Sequence, residues 1–135
     1  MDKKGTIYIV DDDSSALKGL TRFLFAAGYE VHAYALYDEL LKSPVTDKNA
    51  CLILDARMPG LSGTDLQAEL EKMGIKLPVI FVTADDDEET LKKAWVFKAA
   101  GFFRKPVDGH ALLDAIAWAV ETYMKNKESE YLKKH

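Results

Sequence analysis

Five short apolar runs alternate along this chain with five segments of helical periodicity. The runs are rich in β-branched and aromatic residues and are closed by turn residues, which is typical of buried strands. They cover residues 6–10, 29–33, 51–55, 78–83 and 101–104. Because strands that alternate with helices form parallel sheets with right-handed crossovers, we expect an α/β fold with helices on both faces of one sheet.

The first two predicted helices follow from caps and leucine spacing. Ser14 or Ser15 can cap the first helix, and Gly28 can close it at the position where a left-handed backbone is favoured. The second helix is short, is expected to contain Leu36, Leu40 and Leu41, and stops before Pro44.

The remaining helices complete the alternation. The fourth predicted helix runs from about 87 to 97, and the fifth begins near Asp108. We expect one domain over residues 1–124. Residues 125–135 are charged, and they either extend the fifth helix, fray, or begin a linker to an output domain.

Composition restricts the class of protein. The chain has 135 residues and a net charge of −4, which disfavours direct nucleic-acid binding by this segment. No apolar run reaches membrane-spanning length, and the start has no signal-peptide core, so we expect a cytoplasmic domain without membrane contact. The single cysteine, Cys51, lies in an apolar run and is expected to be a core residue in a reducing compartment.

Chemically useful side chains stand where the predicted strands end. Asp11 and Asp12 follow the first strand, Asp55 ends the third, Thr83 ends the fourth and Lys105 follows the fifth. Parallel α/β sheets bind ligands at the carboxyl ends of their strands. Each residue alone could be an ordinary loop or surface residue, but together they predict one site at this edge.

Four segments carry a resemblance to a known family. They read VDDD at 10–13, LDARMPGLSG at 54–63, VTA at 82–84 and RKP at 104–106. In this order the chain resembles the receiver domains of two-component response regulators. The resemblance implies a flavodoxin-like, doubly wound (βα)5 three-layer sandwich whose five-stranded parallel sheet has the order 2-1-3-4-5. It also implies a phosphorelay module that takes its phosphoryl group from a sensor histidine kinase or a phosphotransfer protein.

The resemblance implies a role for each acidic residue. Asp55 would be the phosphoacceptor, and with Asp12 it would ligate Mg²⁺ (or Mn²⁺) directly. The backbone carbonyl of Arg57 would be a third protein ligand, and Asp11 would act mainly through a bound water. Oxygen ligands of this kind suit a hard cation, which would screen the repulsion between a carboxylate and an incoming phosphoryl group.

Three further residues take roles from the same resemblance. Lys105 would neutralise charge on the acyl phosphate, and the Thr83 hydroxyl would donate a hydrogen bond to a phosphate oxygen. Phe102 stands where receivers can hold a ring that switches between inward and outward positions. An ordinary packing role for Phe102 remains open, because aromatic residues are common in strands.

Two features concern the rim of the site. Arg57 and Asp85 lie two residues after the acceptor and two after Thr83, and their opposite charges suggest a pair that slows hydrolysis of the acyl phosphate. Lys98 stands where the family very often has glycine, so either the turn before the fifth strand differs in shape or Lys98 carries backbone strain.

Two apolar residues lack a place in the predicted core. Helical spacing turns Val96 on the fourth helix and Trp118 on the fifth helix outward. Large aromatic residues are favoured at interaction hot spots. We therefore expect a surface formed by helix 4, strand 5 and helix 5, used for homodimerisation or for docking an output domain.

Two other functions remain as alternatives. A receiver-like platform that only binds proteins would not need Asp12, Asp55, Thr83 and Lys105 together. A phosphatase with an aspartate nucleophile would want a second aspartate two positions later, where Arg57 stands. The sequence therefore favours a phosphoacceptor signalling domain rather than an enzyme.

Overall fold

The computed structural model describes residues 4–55, 63–84, 92 and 99–134. The five strands are β1 (Thr6–Val10), β2 (Glu30–Tyr34), β3 (Ala50–Asp55), β4 (Val79–Thr83) and β5 (Gly101–Arg104). The helices within the described ranges are α1 (Ser14–Ala26), α2 (Tyr37–Leu41), α3 (Gly63–Lys72) and α4 (Gly109–Lys134). Thus α4 corresponds to the fifth predicted helix, and the fourth predicted helix lies outside the described residues.

The strands form one parallel sheet in the order β2-β1-β3-β4-β5. This order and the doubly wound architecture confirm what the resemblance to receiver domains implied. The central strand, β3, is buried along its whole length, as expected of a parallel strand that is covered on both faces.

Two hydrophobic clusters occupy the two faces of the sheet. Residues alternate between them along each strand, so that Leu52 and Leu54 of β3 face one cluster while Cys51 and Ile53 face the other. The first cluster takes Tyr37, Leu40, Leu66 and Leu70 from α2 and α3. The second takes Leu24, Leu112 and Ile116 from α1 and α4. Helices therefore cover both faces, which gives the three-layer sandwich.

The start of α1 corrects one prediction. Neither Ser14 nor Ser15 is the cap: Asp13 is the N-cap, and its Oδ1 accepts hydrogen bonds from the amides of Ser15 at 3.0 Å and Ala16 at 3.2 Å. A carboxylate at this position also interacts favourably with the positive end of the helix dipole. Gly28 follows the helix with φ +104°, as predicted for a closing glycine.

The short helix α2 corrects a second prediction. Leu36 is the residue before the helix, in extended conformation, and it is 50% exposed. Tyr37 is buried in its place, together with Leu40. Tyr37 packs in the first hydrophobic cluster with residues of β1 and β3, and the helix begins one residue later than its leucine pattern suggested.

The core and the C-terminal helix agree with the sequence prediction. Cys51 is fully buried, and burial raises the pKa of its thiol to about 12, so it is a structural rather than a reactive thiol. The helix α4 continues without a break to Lys134, so the charged segment extends it. Along the described ranges, no helix combines the length and the apolar character that crossing a membrane would require.

Candidate functional site

The sheet brings the predicted site residues to one edge. Asp55 is the last residue of β3, opposite Val82 of β4, and Thr83 ends β4 one residue later. Asp11 follows directly after β1, whose pairing with β3 ends at the Val10–Leu54 pair. Parallel pairing therefore places the polar residues at the carboxyl ends of three adjacent strands.

Lys105 links two of the carboxylates. Its Nζ lies 2.7 Å from Asp11 Oδ2 and 3.3 Å from Asp55 Oδ2. The three side chains are 19%, 7% and 11% exposed, respectively, so water screens these interactions less than it screens surface pairs. The site therefore carries a partly buried cation held directly against the predicted acceptor.

Burial and charge act against each other on this pair. Burial raises the pKa of the Asp11 carboxyl and the nearby Asp55 charge adds to this, although hydrogen bonds from Lys105 and the Asp13 amide lower it. For Lys105, burial alone would lower the pKa, but the hydrogen bond to Asp11 and the negative charge of Asp55 outweigh it, so its pKa is raised. Lys105 thus keeps its positive charge at neutral pH.

A backbone hydrogen bond fixes the main chain of Lys105 beside the end of β4. Its amide donates to the carbonyl of Thr83 at 2.9 Å, which continues the β4–β5 pairing past Arg104. The Lys105–Pro106 peptide bond is cis. Thr83 itself is fully buried. The strand end that carries Thr83 and the residue that carries the cation are therefore joined by a direct backbone contact.

Asp11, Asp12 and Asp55 each offer one carboxylate oxygen within 4.8 Å of the others. Such a set of oxygen donors fits a hard divalent cation. The two oxygens of Asp11 already have partners, since Oδ1 accepts from the Asp13 amide at 2.9 Å and Oδ2 accepts from Lys105. Asp12 is exposed and Asp55 is buried, so a cation in this cluster would lie between the buried end of β3 and the solvent.

The contact of Tyr37 with the main chain of Asp55 was not predicted from the sequence. Its hydroxyl donates a hydrogen bond of 3.0 Å to the backbone carbonyl of Asp55, although the two residues are eighteen positions apart. Burial raises the pKa of Tyr37, and the negative charges of Asp55, Asp12 and Asp11 raise it further, so the hydroxyl keeps its proton. The helical period predicts a buried position on α2, but no local pattern indicates which backbone atom the hydroxyl reaches.

The predicted switch and surface residues have mixed outcomes. Phe102 is half-buried and packs against the first hydrophobic cluster, while its role as a switch remains a prediction. Trp118 is 61% exposed, which confirms that it faces outward from α4. Four residues named in the sequence predictions lie outside the described residues. They are Arg57, predicted as a backbone ligand and rim residue, its suggested partner Asp85, the predicted helix residue Val96, and Lys98.

A cavity of about 710 Å³ opens beside the site, between α1 and the segment that leads into α4. Asp11 and Lys105 line one end of it, and Leu20, Phe23 and Val107 are among its apolar lining residues. The edge of the sheet that carries Asp11 and Lys105 is therefore continuous with a largely apolar surface depression.

Comparison with protein families decides what kind of domain this is. The model of the response regulator receiver domain matches residues 7–117. The chain belongs to this family. It is a receiver domain of the two-component response-regulator type, which is a signalling domain rather than a classical enzyme. Response regulators receive phosphoryl groups from histidine kinases.

Curated relatives of this receiver come from bacteria. Nodulation protein W of Bradyrhizobium diazoefficiens is 38% identical over 127 residues, which cover 94% of this chain and 56% of that protein. Response regulator protein TmoT of Ectopseudomonas mendocina is 35% identical over 128 residues, which cover 95% of this chain and 58% of that protein. The chain thus spans about half the length of the curated relatives it matches.

Solved structures agree with the fold. The response regulator StyR superposes with a TM-score of 0.81 at 34% identity, over 97% of this receiver and 66% of that chain. FixJ-N superposes with a TM-score of 0.74 at 28% identity, over 88% of this receiver and 95% of that chain. The likeness to receiver domains therefore extends over nearly all of this chain.

Proposed function

We propose that this receiver accepts a phosphoryl group on the Asp55 carboxylate from a phosphohistidine of a sensor histidine kinase or a phosphotransfer protein. The observation that carries the proposal is the Lys105 ammonium, 3.3 Å from Asp55 Oδ2 at the end of a buried strand. A carboxylate oxygen would form the new O–P bond while the N–P bond to the histidine breaks, and the imidazole would leave and take up a proton. Phosphoryl transfer depends mainly on such positioning and charge neutralisation.

The residues around Asp55 would divide the remaining work. Lys105 would neutralise charge on the acyl phosphate, and it is already held in place by Asp11 at 2.7 Å. The Thr83 hydroxyl would donate to a phosphate oxygen, supported by the position of Thr83 at the end of the neighbouring strand. A donor protein that reaches Asp55 would also cover the apolar cavity beside Asp11 and Lys105.

Mg²⁺ (or Mn²⁺) would be held by Asp12 and Asp55 directly, with the backbone carbonyl of Arg57 as a further ligand. Asp11 would act through a water, which is supported by the partners that both of its carboxylate oxygens already have. When bound, the ion supplies positive charge that offsets the repulsion between the acceptor and the phosphoryl group. The chemistry of the three-carboxylate donor set supports this assignment.

The wild-type protein is expected to gain one phosphoryl group when it is incubated with acetyl phosphate and Mg²⁺, because a small donor needs no docking surface. Intact mass spectrometry measures the gain, and hydroxylamine should remove it because acyl phosphates are labile to this nucleophile. Chelation of the metal with EDTA is the matched control and should suppress labelling. A protein that stays unmodified with Mg²⁺ would support a binding platform, and multiple turnover of an external phosphoester would support a phosphatase.

The signal would leave the site through the fourth predicted helix, the fifth strand and the fifth predicted helix. The structure describes the fifth strand as β5 and the fifth predicted helix as α4. The phosphoryl group adds nearly two negative charges beside Thr83 and Lys105, and Lys105 follows β5 directly. Val96 and Trp118 were predicted to belong to this surface. Among the described residues, the exposed Trp118 supports a role in homodimerisation or in docking an output domain.

Replacement of Trp118 by alanine is expected to weaken a phosphorylation-dependent dimer by about tenfold or more, as removal of an aromatic hot spot does. Sedimentation of the wild type and of Trp118→Ala, with and without beryllofluoride in place of the phosphoryl group, measures this. Leu132→Ala, also an exposed apolar residue of α4, is the control and should behave like the wild type. A wild type that remains monomeric in every condition would contradict the dimer.

The wider setting follows from the same proposal. Residues 1–124 would be the receiver, and 125–135 would be a charged helical tail or the beginning of a linker to an output domain. The domain would work in the cytoplasm, without direct nucleic-acid or membrane contact, which the net charge of −4 supports.

A further inference from the structure

The Tyr37 hydroxyl holds the main chain of the phosphoacceptor itself. It donates to the carbonyl of Asp55 at 3.0 Å, in a buried environment where a lost hydrogen bond is costly. The pairing of β1 with β3 ends at Leu54, one residue before this carbonyl. The contact therefore stands at the point where regular strand pairing on that side of β3 stops.

The tyrosine is in turn fixed by the way α2 is attached. The helix is only five residues long, and Tyr37 and Leu40 are its buried residues. The Ser43 hydroxyl donates its one proton to the Leu40 carbonyl at 2.8 Å. The Tyr34 hydroxyl of β2 is therefore the donor in its 2.8 Å hydrogen bond to Ser43 Oγ. These contacts tie the helix to the neighbouring strand. The donor that reaches Asp55 thus comes from an anchored element rather than from a free loop.

We propose that Tyr37 is a positioning residue for phosphoryl transfer: its hydrogen bond to the Asp55 carbonyl sets where the Asp55 carboxylate lies relative to Lys105 and the other two aspartates. This inference rests on the proposed function. Partners that orient the groups around a metal or a nucleophile matter because small displacements there change affinity and rate strongly. Tyr37 touches neither the phosphoryl group nor the metal in this account, and it acts only through Asp55.

The test compares Tyr37→Phe with Tyr8→Phe. Both changes remove one hydroxyl from a buried tyrosine of the same hydrophobic cluster, and both lose a hydrogen bond with the main chain. The Tyr8 hydroxyl accepts from the Thr46 amide at 2.8 Å and has no contact with Asp55 in the structure described. The two variants are therefore expected to lose similar amounts of stability in urea.

Only Tyr37→Phe should disturb the site. In buffer without urea, where circular dichroism shows both variants to be folded, Tyr37→Phe should lower the rate of labelling by acetyl phosphate by about tenfold. Its Mg²⁺ affinity, measured by calorimetry without any phosphoryl donor, should fall by about the same factor. Tyr8→Phe should retain both wild-type values.

The outcomes separate this inference from the proposed function. Wild-type rate and Mg²⁺ affinity in Tyr37→Phe would overturn it, as would equal losses in Tyr8→Phe. If the wild type binds Mg²⁺ but takes no phosphoryl group, the proposed function fails, and the Mg²⁺ affinities alone decide the role of Tyr37. If Tyr37→Phe does not fold, Tyr37→Met, which fills the buried space with a flexible side chain that has no hydrogen-bond donor, is compared with Tyr8→Met in the same two measurements, and wild-type values in the first would overturn the inference.

Discussion

Replacement of Asp55 by asparagine is expected to abolish phosphoryl incorporation from acetyl phosphate. The amide has nearly the shape of the carboxylate, and its oxygen can still accept a hydrogen bond from Lys105, so the fold and the neighbouring charges are retained. It lacks the anionic oxygen that forms the new O–P bond. Intact mass spectrometry at saturating donor and Mg²⁺ should therefore show only unmodified protein.

The matched control for this change is Asp114→Asn. Asp114 is an exposed residue of α4, so the substitution makes the same change in charge and shape away from the site. It should label like the wild type. Equal labelling of the Asp55 and Asp114 variants would exclude Asp55 as the acceptor.

Replacement of Ile53 by alanine is expected to lower the free energy of unfolding by about 3 kcal/mol, within the range for large-to-small changes in a core. Ile53 lies in the middle of the central strand, is 1% exposed and packs in the cluster that α1 and α4 cover. Its neighbours belong to strands on both sides and cannot close the cavity without moving the sheet. Such a loss is a large part of the total stability of a domain of this size.

Urea unfolding followed by circular dichroism measures this effect, and Leu36→Ala is its control. Leu36 is half-exposed before α2, so its truncation should cost less than about 1 kcal/mol, as for most surface changes. A loss below about 1 kcal/mol in Ile53→Ala would contradict the prediction, and a loss of about 3 kcal/mol in Leu36→Ala would mean that Leu36 is buried rather than exposed.

The parallel sheet and the edge that carries the site could be predicted because they depend on patterns that are local in the sequence, whereas the strand order was implied by the resemblance to receiver domains. The apolar run before Asp55 has no polar face, so as a strand it must be covered on both sides, and β3 is buried at every position. Once alternating strands and helices force a parallel sheet, the residues after each strand must meet at one edge. The contacts of Lys105 with Asp11 and Asp55 follow from that topology.

The predictions of the α1 cap and of the start of α2 were wrong because neighbouring residues can fill the same position. Asp13, Ser14 and Ser15 can all cap a helix, and because α1 begins at Ser14, Asp13 holds the cap position. Leu36 and Tyr37 are adjacent apolar residues, so a shift of one position exchanges which of them is buried. Helical periodicity defines a stripe but does not fix the residue at which a five-residue helix begins.

The Tyr37 contact could not be predicted for a different reason. It joins a side chain on α2 to a backbone carbonyl at the end of β3, and its existence depends on the height of the helix above the sheet. That height is set by the packing of Tyr37, Leu40 and their neighbours in three dimensions. A buried tyrosine needs some hydrogen-bond partner, but the sequence leaves the identity of that partner open.

Asp55 is proposed to carry the phosphoryl group, and chemical identification of the modified residue is the decisive experiment. Wild-type protein is labelled with acetyl phosphate and Mg²⁺, reduced with borohydride, which converts an aspartyl phosphate to homoserine, and digested for tandem mass spectrometry. Phosphorylation of Asp55 should give homoserine at position 55 and unmodified aspartate at positions 11 and 12. Homoserine at Asp11 or Asp12, with Asp55 unchanged in the labelled protein, would contradict it.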